Sequence, residues 1–132
     1  VHLSATWNMN PLHIKQSGEN RSRELAALFH AWHARNAPPM VVGGDFNQIP
    51  MGNNYYLMTH SGMTDVLKEL GRTDNTFKSG LLRTRIDYWL TSPEWKLIDG
   101  GTVVESSASD HRPIWLEAAG GAMTATGPAT RR

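Results

Sequence analysis

Met40-Val41-Val42-Gly43-Gly44 is an apolar run with no polar alternation, and it breaks off into Asp45-Phe46-Asn47. Such a run is the pattern of a strand buried on both faces, and a strand of that kind needs a layer of other elements above and below it. The flanking sequence supplies them. Leu25, Leu28, Phe29 and Trp32 fall at i, i+3, i+4 and i+7, one apolar stripe on a helix of about 14 residues. Asn20 is placed to cap that helix, and Asn36 to Pro39 stops it, because proline cannot continue a helix and restricts the residue before it. The stretch from Trp7 to Asn20 is rich in Asn, Pro, Ser and Gly and reads as a long loop.

Further on, Asn53 or Asn54 caps a short helix carrying Tyr56, Leu57 and Met58 and ended by Gly62. Asp65 to Leu70 reads as another short helical piece. Arg85 to Thr91, Trp95 to Ile98, Thr102 to Glu105 and Pro113 to Leu116 read as strands. The alternation in Val1 to Ser4 suits the end of a strand. The order of elements is an α/β pattern in which helices cover a sheet. From Ala118 onward Ala, Gly, Thr and Pro replace the apolar periodicity, so residues 118–132 are expected to be a disordered tail.

At 132 residues the chain is one domain or part of one, and 39% hydrophobic with 19% charged residues is a globular composition. A net charge of +1 excludes attachment to nucleic acid or membrane by bulk charge, though a local basic patch stays open. The absence of cysteine excludes disulfides, thiolate metal sites and a cysteine nucleophile. No apolar run reaches the roughly 18 residues that a membrane helix needs.

Four polar clusters are candidates for chemistry. Asp45 and Asn47 follow the buried strand and place a carboxylate and an amide oxygen at the C-terminal edge of the sheet, donors that suit Mg²⁺ or Mn²⁺; the competing reading is an Asx-turn. Asp87, in Arg85-Ile86-Asp87-Tyr88, lies inside an apolar strand, where a charge must be paired or bound to a cation. Arg83 or Arg85 is the plain partner for it. Asp110 and His111, in Ser109-Asp110-His111-Arg112-Pro113, point to opposite sides of an extended segment, and a bend there brings both to one site; a surface turn is the alternative. His30 and His33 have no acid to complete a metal site and suit a helix C-terminus without any ligand role.

Gly-Asp-Phe-Asn, Arg-Ile-Asp-Tyr and Ser-Asp-His-Arg-Pro, in that order, closely resemble the three C-terminal signatures of the endonuclease/exonuclease/phosphatase family. Val1-His2-Leu3 is similar to that family's His-Leu strand end, and Arg21 to Leu28 to the helix that follows it. The resemblance covers residues 1–117 and implies the C-terminal half of a four-layer α/β/β/α sandwich with mixed, largely antiparallel sheets. It also implies a metal-dependent phosphodiester hydrolase, most readily a nuclease. Asp45 would orient or deprotonate the attacking water, Asn47 would bond the phosphoryl oxygens or the nucleophile, and Asp87 would orient His111. His111 and His2 would contact the phosphate, and Asp110 would bind Mg²⁺ or Mn²⁺. The physical chemistry agrees, since a cation and an imidazolium stabilise the charge that develops on phosphoryl oxygens.

The family's first half supplies an Asn and a metal-binding Glu, and Glu19, Glu24, Glu69, Glu94, Glu105 and Glu117 match none of its signatures. The missing N-terminal half is therefore an expected partner, and the chain by itself is expected to be inactive. Trp7, Trp89 and Trp115 are candidates for the surface that half would cover. Two other readings remain: a phospholipid, sphingolipid or phosphomonoester hydrolase of the same fold, and a non-catalytic fragment that retains the motifs.

Overall fold

The computed structural model of the chain describes residues 1–5, 10–104 and 108–120. Helix α1 spans Pro11–His33, so most of the expected loop before Asn20 is helical and Asn20 lies inside the helix. The true N-cap is Asn10, whose side chain accepts from the Leu12 amide at 3.0 Å. Pro11 follows at the position where its fixed φ and missing N–H cost nothing. Leu12 and Ile14 are exposed, so these first turns form by capping and continuation and leave no apolar stripe to read. Trp7 lies outside the described residues.

The stripe itself is where periodicity puts it: Leu25, Phe29 and Trp32 are buried. The chain leaves the helix through Asn36 and Ala37 in the left-handed region, and the Trp32 indole donates to the Pro38 carbonyl at 2.7 Å.

Strand β1, Val41–Asp45, is followed by α2 (Asn53–His60), β2 (Thr64–Asp65) and α3 (Val66–Glu69). A hairpin of β3 (Phe77–Ser79) and β4 (Leu82–Thr84) comes next, then β5 (Asp87–Thr91) and a second hairpin of β6 (Trp95–Thr102) and β7 (Ile114–Gly120). Gly52, rather than an asparagine, caps α2. The β3–β4 hairpin has no sequence signal beyond its glycine. Bulging between Leu97 and Asp99 interrupts the alternation of β6, so only its first half, Trp95 to Ile98, is legible; of the strand expected over Thr102 to Glu105 only Thr102 is β, as the end of β6, while Val103 and Val104 lie beyond it. β7 runs through Ala118, Ala119 and Gly120, into the segment expected to be tail; residues 121–132 and Glu105 lie outside the described residues.

The principal sheet has the order β1-β5-β2, with both pairings antiparallel. The free edge of β1 accepts His2 in a parallel bridge with Asp45, and the Leu3 amide donates to the Asp45 carbonyl at 2.9 Å. The fold is thus α/β with largely antiparallel, mixed sheets. α1 holds the opening segment in place: Glu24 accepts from the amide and hydroxyl of Ser4, and Arg21 donates to the Ser4 carbonyl.

The core joins Leu25, Phe29 and Trp32 of α1 to Val42, Phe46, Tyr88 and Leu90. β1 is not buried equally on its two faces. Val42 is 8% exposed, whereas Val41, on the opposite face, is 37% exposed. Half-buried Trp89 covers part of that second face by lying over Gly43, where a Cβ would come within 2.2 Å of the ring. Gly44 has φ +141° and lets the first strand approach, since a Cβ there would sit 2.0 Å from the Val1 carbonyl oxygen. Trp115 is 40% exposed. Among the described residues, no helix is long and apolar enough to cross a membrane.

Candidate active site

Asp45 is the last residue of β1, and the register sets it directly opposite Asp87, the first residue of β5. Directly opposed residues project to the same face of a sheet, so two residues far apart in sequence bring their carboxylates to one edge. Beyond Asp45 the chain turns, with Asn47 at φ 47°, a left-handed conformation that asparagine tolerates. The turn is the Asx type: the Asn47 amide donates to Asp45 Oδ1 at 2.7 Å. The Asn47 side chain donates to Asp45 Oδ2 at 3.2 Å and to the Leu3 carbonyl at 2.7 Å. The Asx-turn is thus present, and its bonds fix the orientation of the Asp45 carboxylate.

His2 Nε2 lies 3.6 Å from Asp45 Oδ2 on one side, and His111 Nε2 lies 3.9 Å from the same oxygen on the other. His111 is held from behind, its Nδ1 being 3.1 and 3.0 Å from the two oxygens of Asp87. With Nδ1 donating to that carboxylate, Nε2 is the ring atom turned towards Asp45. The Phe77 ring packs on the His111 ring at a centroid distance of 4.9 Å. The bend expected at Asp110-His111 is real and comes from pairing with β3: Lys78 donates to the Asp110 carbonyl and Arg112 to the Thr76 carbonyl.

Thr76 is the residue that sequence reasoning missed. It is fully buried, and its hydroxyl donates to Asp87 Oδ2 at 2.6 Å while accepting from the amides of Ile86 and Asp87. Burial pushes the Asp87 carboxyl above the usual aspartate range; the Thr76 and His111 hydrogen bonds pull it back, and the charge of Asp45 adds to the rise. No local pattern marks a lone threonine in a polar stretch.

Asp87 is not paired with Arg83 or Arg85. Arg85 instead makes a bidentate pair with Asp65 at 2.9 and 2.7 Å, nearly inaccessible to solvent. Tyr55 donates to the same Asp65 at 2.8 Å, and burial together with that acid pushes the Tyr55 phenol up to about 12. The Arg85 guanidinium lies over the Tyr88 ring, and the Tyr88 hydroxyl donates to the Gln48 carbonyl at 2.6 Å. This buried network braces the turn that carries Asn47.

Asp45, Asp87 and His111 each bring a ligand atom within 4.8 Å of the others, a group able to hold a metal ion. Two carboxylates and an imidazole suit a hard divalent cation. Both carboxylates are already hydrogen-bonded, Asp87 to Thr76 and His111 and Asp45 to Asn47. The Asp45 side chain is somewhat the more accessible, 17% exposed against 11% for Asp87. Asp110 is exposed, its carboxylate 3.4 Å from the Ser109 hydroxyl, and it stands outside the three-residue group. His30 and His33 stay on the surface of α1 at its C-terminal end.

The model of the Endonuclease/Exonuclease/phosphatase family matches residues 5–111 of this chain. The chain belongs to that family. Members of the family are hydrolases acting on phosphoester bonds. Among solved structures, an endonuclease/exonuclease/phosphatase from Bacteroides vulgatus is 22% identical with a TM-score of 0.68, over 77% of this chain and 44% of its own. The 3' phosphatase NExo from Neisseria, bound to a product DNA hairpin, is 17% identical with a TM-score of 0.67, over 87% and 57%. The mannosyl-6-phosphatase Bt3783 of Bacteroides thetaiotaomicron is 20% identical with a TM-score of 0.57, over 84% and 47%. At these identities the likeness is one of fold. The chain spans about half the length of these structures. Among curated proteins no sequence matches it.

Proposed function

We propose that this chain carries part of the active site of a metal-dependent phosphodiester hydrolase of the nuclease type. The observation that supports it most directly is the Asp45 carboxylate set between two imidazoles, one of them anchored by a buried aspartate. A phosphoryl group lodged there meets cationic or proton-bearing nitrogens from His2 and His111, which stabilise the charge gathering on its oxygens in the transition state. Asp45 orients the attacking water and takes its proton. Asn47 fixes Asp45, and its side chain bonds a phosphoryl oxygen or the nucleophile by exchanging one of its present bonds, the longer one to Asp45 or the one to Leu3. Asp87 keeps the His111 ring in its working orientation and balances its charge.

Mg²⁺ or Mn²⁺ is the cofactor in this reading, held with help from Asp110; when bound, it neutralises phosphoryl charge and lowers the pKa of a water molecule. The further metal-binding Glu comes from an N-terminal half of the same domain, which would complete a four-layer sandwich. The fit of a nuclease rests on the family and on a fold neighbour bound to DNA. Phosphomonoester hydrolysis is the second reading, because two of the fold neighbours are phosphatases.

The test is turnover by the full-length protein with Mg²⁺ or Mn²⁺, on plasmid DNA, RNA and a chromogenic phosphomonoester. Metal-dependent cleavage that collapses in Asp45→Ala and Asp110→Ala is the expected result. No hydrolysis of any phosphoester with either ion, or unchanged rates in both variants, overturns the proposal.

A further inference from the structure

Beside the site lies a recess of about 400 Å³, lined by Met51, Tyr55, Lys68, Asn75, Arg83 and Thr84 among others. Its wall is continuous with the catalytic elements. Met51 follows the turn of Asn47; Asn75 precedes Thr76, the residue bonded to Asp87, and its carbonyl accepts from the Arg112 side chain next to His111. Thr84 accepts from the Thr76 amide through its own carbonyl.

The recess is electrostatically one-sided. No acidic side chain lines it, and the charge of buried Arg85 is already matched by Asp65. Lys68 and Arg83 are both exposed, and among the described residues neither belongs to an ion pair. Lys68 has only the Tyr55 ring beneath it, at 5.8 Å. Arg83 stands directly opposite Lys78 across the β3–β4 hairpin. Like charges directly opposed on a ladder destabilise it, and among the described residues neither Arg83 nor Lys78 is in an ion pair.

We infer that this recess, with Lys68 and Arg83 in its wall, binds a second phosphate of the substrate while the first occupies the Asp45–His111 site. This rests on the phosphoester-hydrolase reading and extends it. A substrate with phosphates at neighbouring positions along a strand, a nucleic acid, uses both places. A sugar phosphate with one phosphoryl group uses only the first.

The experiment compares full-length wild type with a Lys68→Gln/Arg83→Gln double variant and with Lys96→Gln, on β6, as a charge-matched control. Two substrates are used: an oligothymidylate, and bis(4-nitrophenyl) phosphate with its single phosphate. The expected result is a rise of about tenfold or more in the ratio of KM for the oligonucleotide to KM for the small diester. The control leaves that ratio alone. The salt dependence of oligonucleotide binding should also flatten by about 0.7 in log–log slope for each phosphate that the variant no longer neutralises.

Inorganic phosphate distinguishes a neighbouring strand phosphate from free phosphate. If free phosphate is the ligand, wild type binds it at two sites and the double variant at one, with the KM ratio unchanged, and the inference of a strand-binding subsite fails. An unchanged ratio without that binding difference overturns the recess altogether while the hydrolase reading stands. Turnover of neither substrate by wild type instead defeats the phosphodiester-hydrolase reading on which the inference rests.

Discussion

Replacing Thr76 with valine keeps the shape of the side chain and removes one hydroxyl that makes three hydrogen bonds. The bond to Asp87 Oδ2, 2.6 Å long, is to a charged acceptor. A bond of that kind contributes about 1.5–3 kcal/mol, equivalent to about one to two pH units at 1.36 kcal/mol per unit. Because the bond favours the ionised carboxylate, its removal moves the Asp87 pKa further up, in the direction that burial already pushes it. The amides of Ile86 and Asp87 are also left without their acceptor, at about 1–3 kcal/mol for each buried donor left unpaired.

The two effects separate by pH. A carboxyl whose folded pKa lies above its unfolded value contributes stability that is fully present below the unfolded pKa and is lost as pH rises through the folded one. Asp87 is such a group, and Thr76→Val widens the gap. The variant's deficit should therefore be smallest in acid, where only the orphaned amides count, and should grow by about 1.5–3 kcal/mol as Asp87 ionises. Urea unfolding between pH 4 and 8, with a carbon-detected titration of the Asp87 carboxyl, reads both quantities. Thr76→Ser, which restores the hydroxyl, should recover most of each. An Asp87 titration unmoved in the valine variant, or a deficit independent of pH, refutes the assignment of Thr76 as the group that keeps Asp87 charged.

Gly44→Ala should destabilise the domain by about 1–3 kcal/mol, since φ +141° strains any other residue and its Cβ meets the Val1 carbonyl; thermal unfolding measures it, and a neutral result denies the close approach of the first strand. Asp65→Ala leaves the Arg85 charge buried and unpaired, a loss of about 3–5 kcal/mol. Asp99→Ala, at the exposed pair with Arg72, should lose no more than about 1 kcal/mol in the same denaturation assay. His111→Ala should lower turnover of a phosphodiester by about 10²–10⁴-fold, whereas His33→Ala on the surface of α1 leaves it unchanged; equal effects would show that the Asp87–His111 pair is not part of the machinery.

Much of this molecule is legible from local pattern. The stripe of Leu25, Phe29 and Trp32 has the helical period, and β1 announces itself by its apolar run and by the Asp-Phe-Asn that closes it, because both signals arise from residues close in sequence. The start of α1 is hidden from pattern because a capped, solvent-facing helix carries no stripe, and only the first half of β6 is legible because its bulge and glycines break the alternation.

The site divides along the same line. The ordered signatures around Asp45, Asp87 and His111 single out the residues through the family resemblance, which is also what brings in phosphoryl groups; the oxygen donors by themselves suit a hard cation and equally a plain turn. Only tertiary structure decided their arrangement: the β1–β5 register opposes Asp45 to Asp87, and the pairing of residues 110–112 with 76–78 turns His111 inward. It also decided that Arg85 belongs to Asp65, that Thr76 holds Asp87, and that Asp110 stays outside the three-residue group. Those outcomes are set by long-range backbone pairing and by the cost of burying a charge, and neither is visible until the chain has folded back on itself.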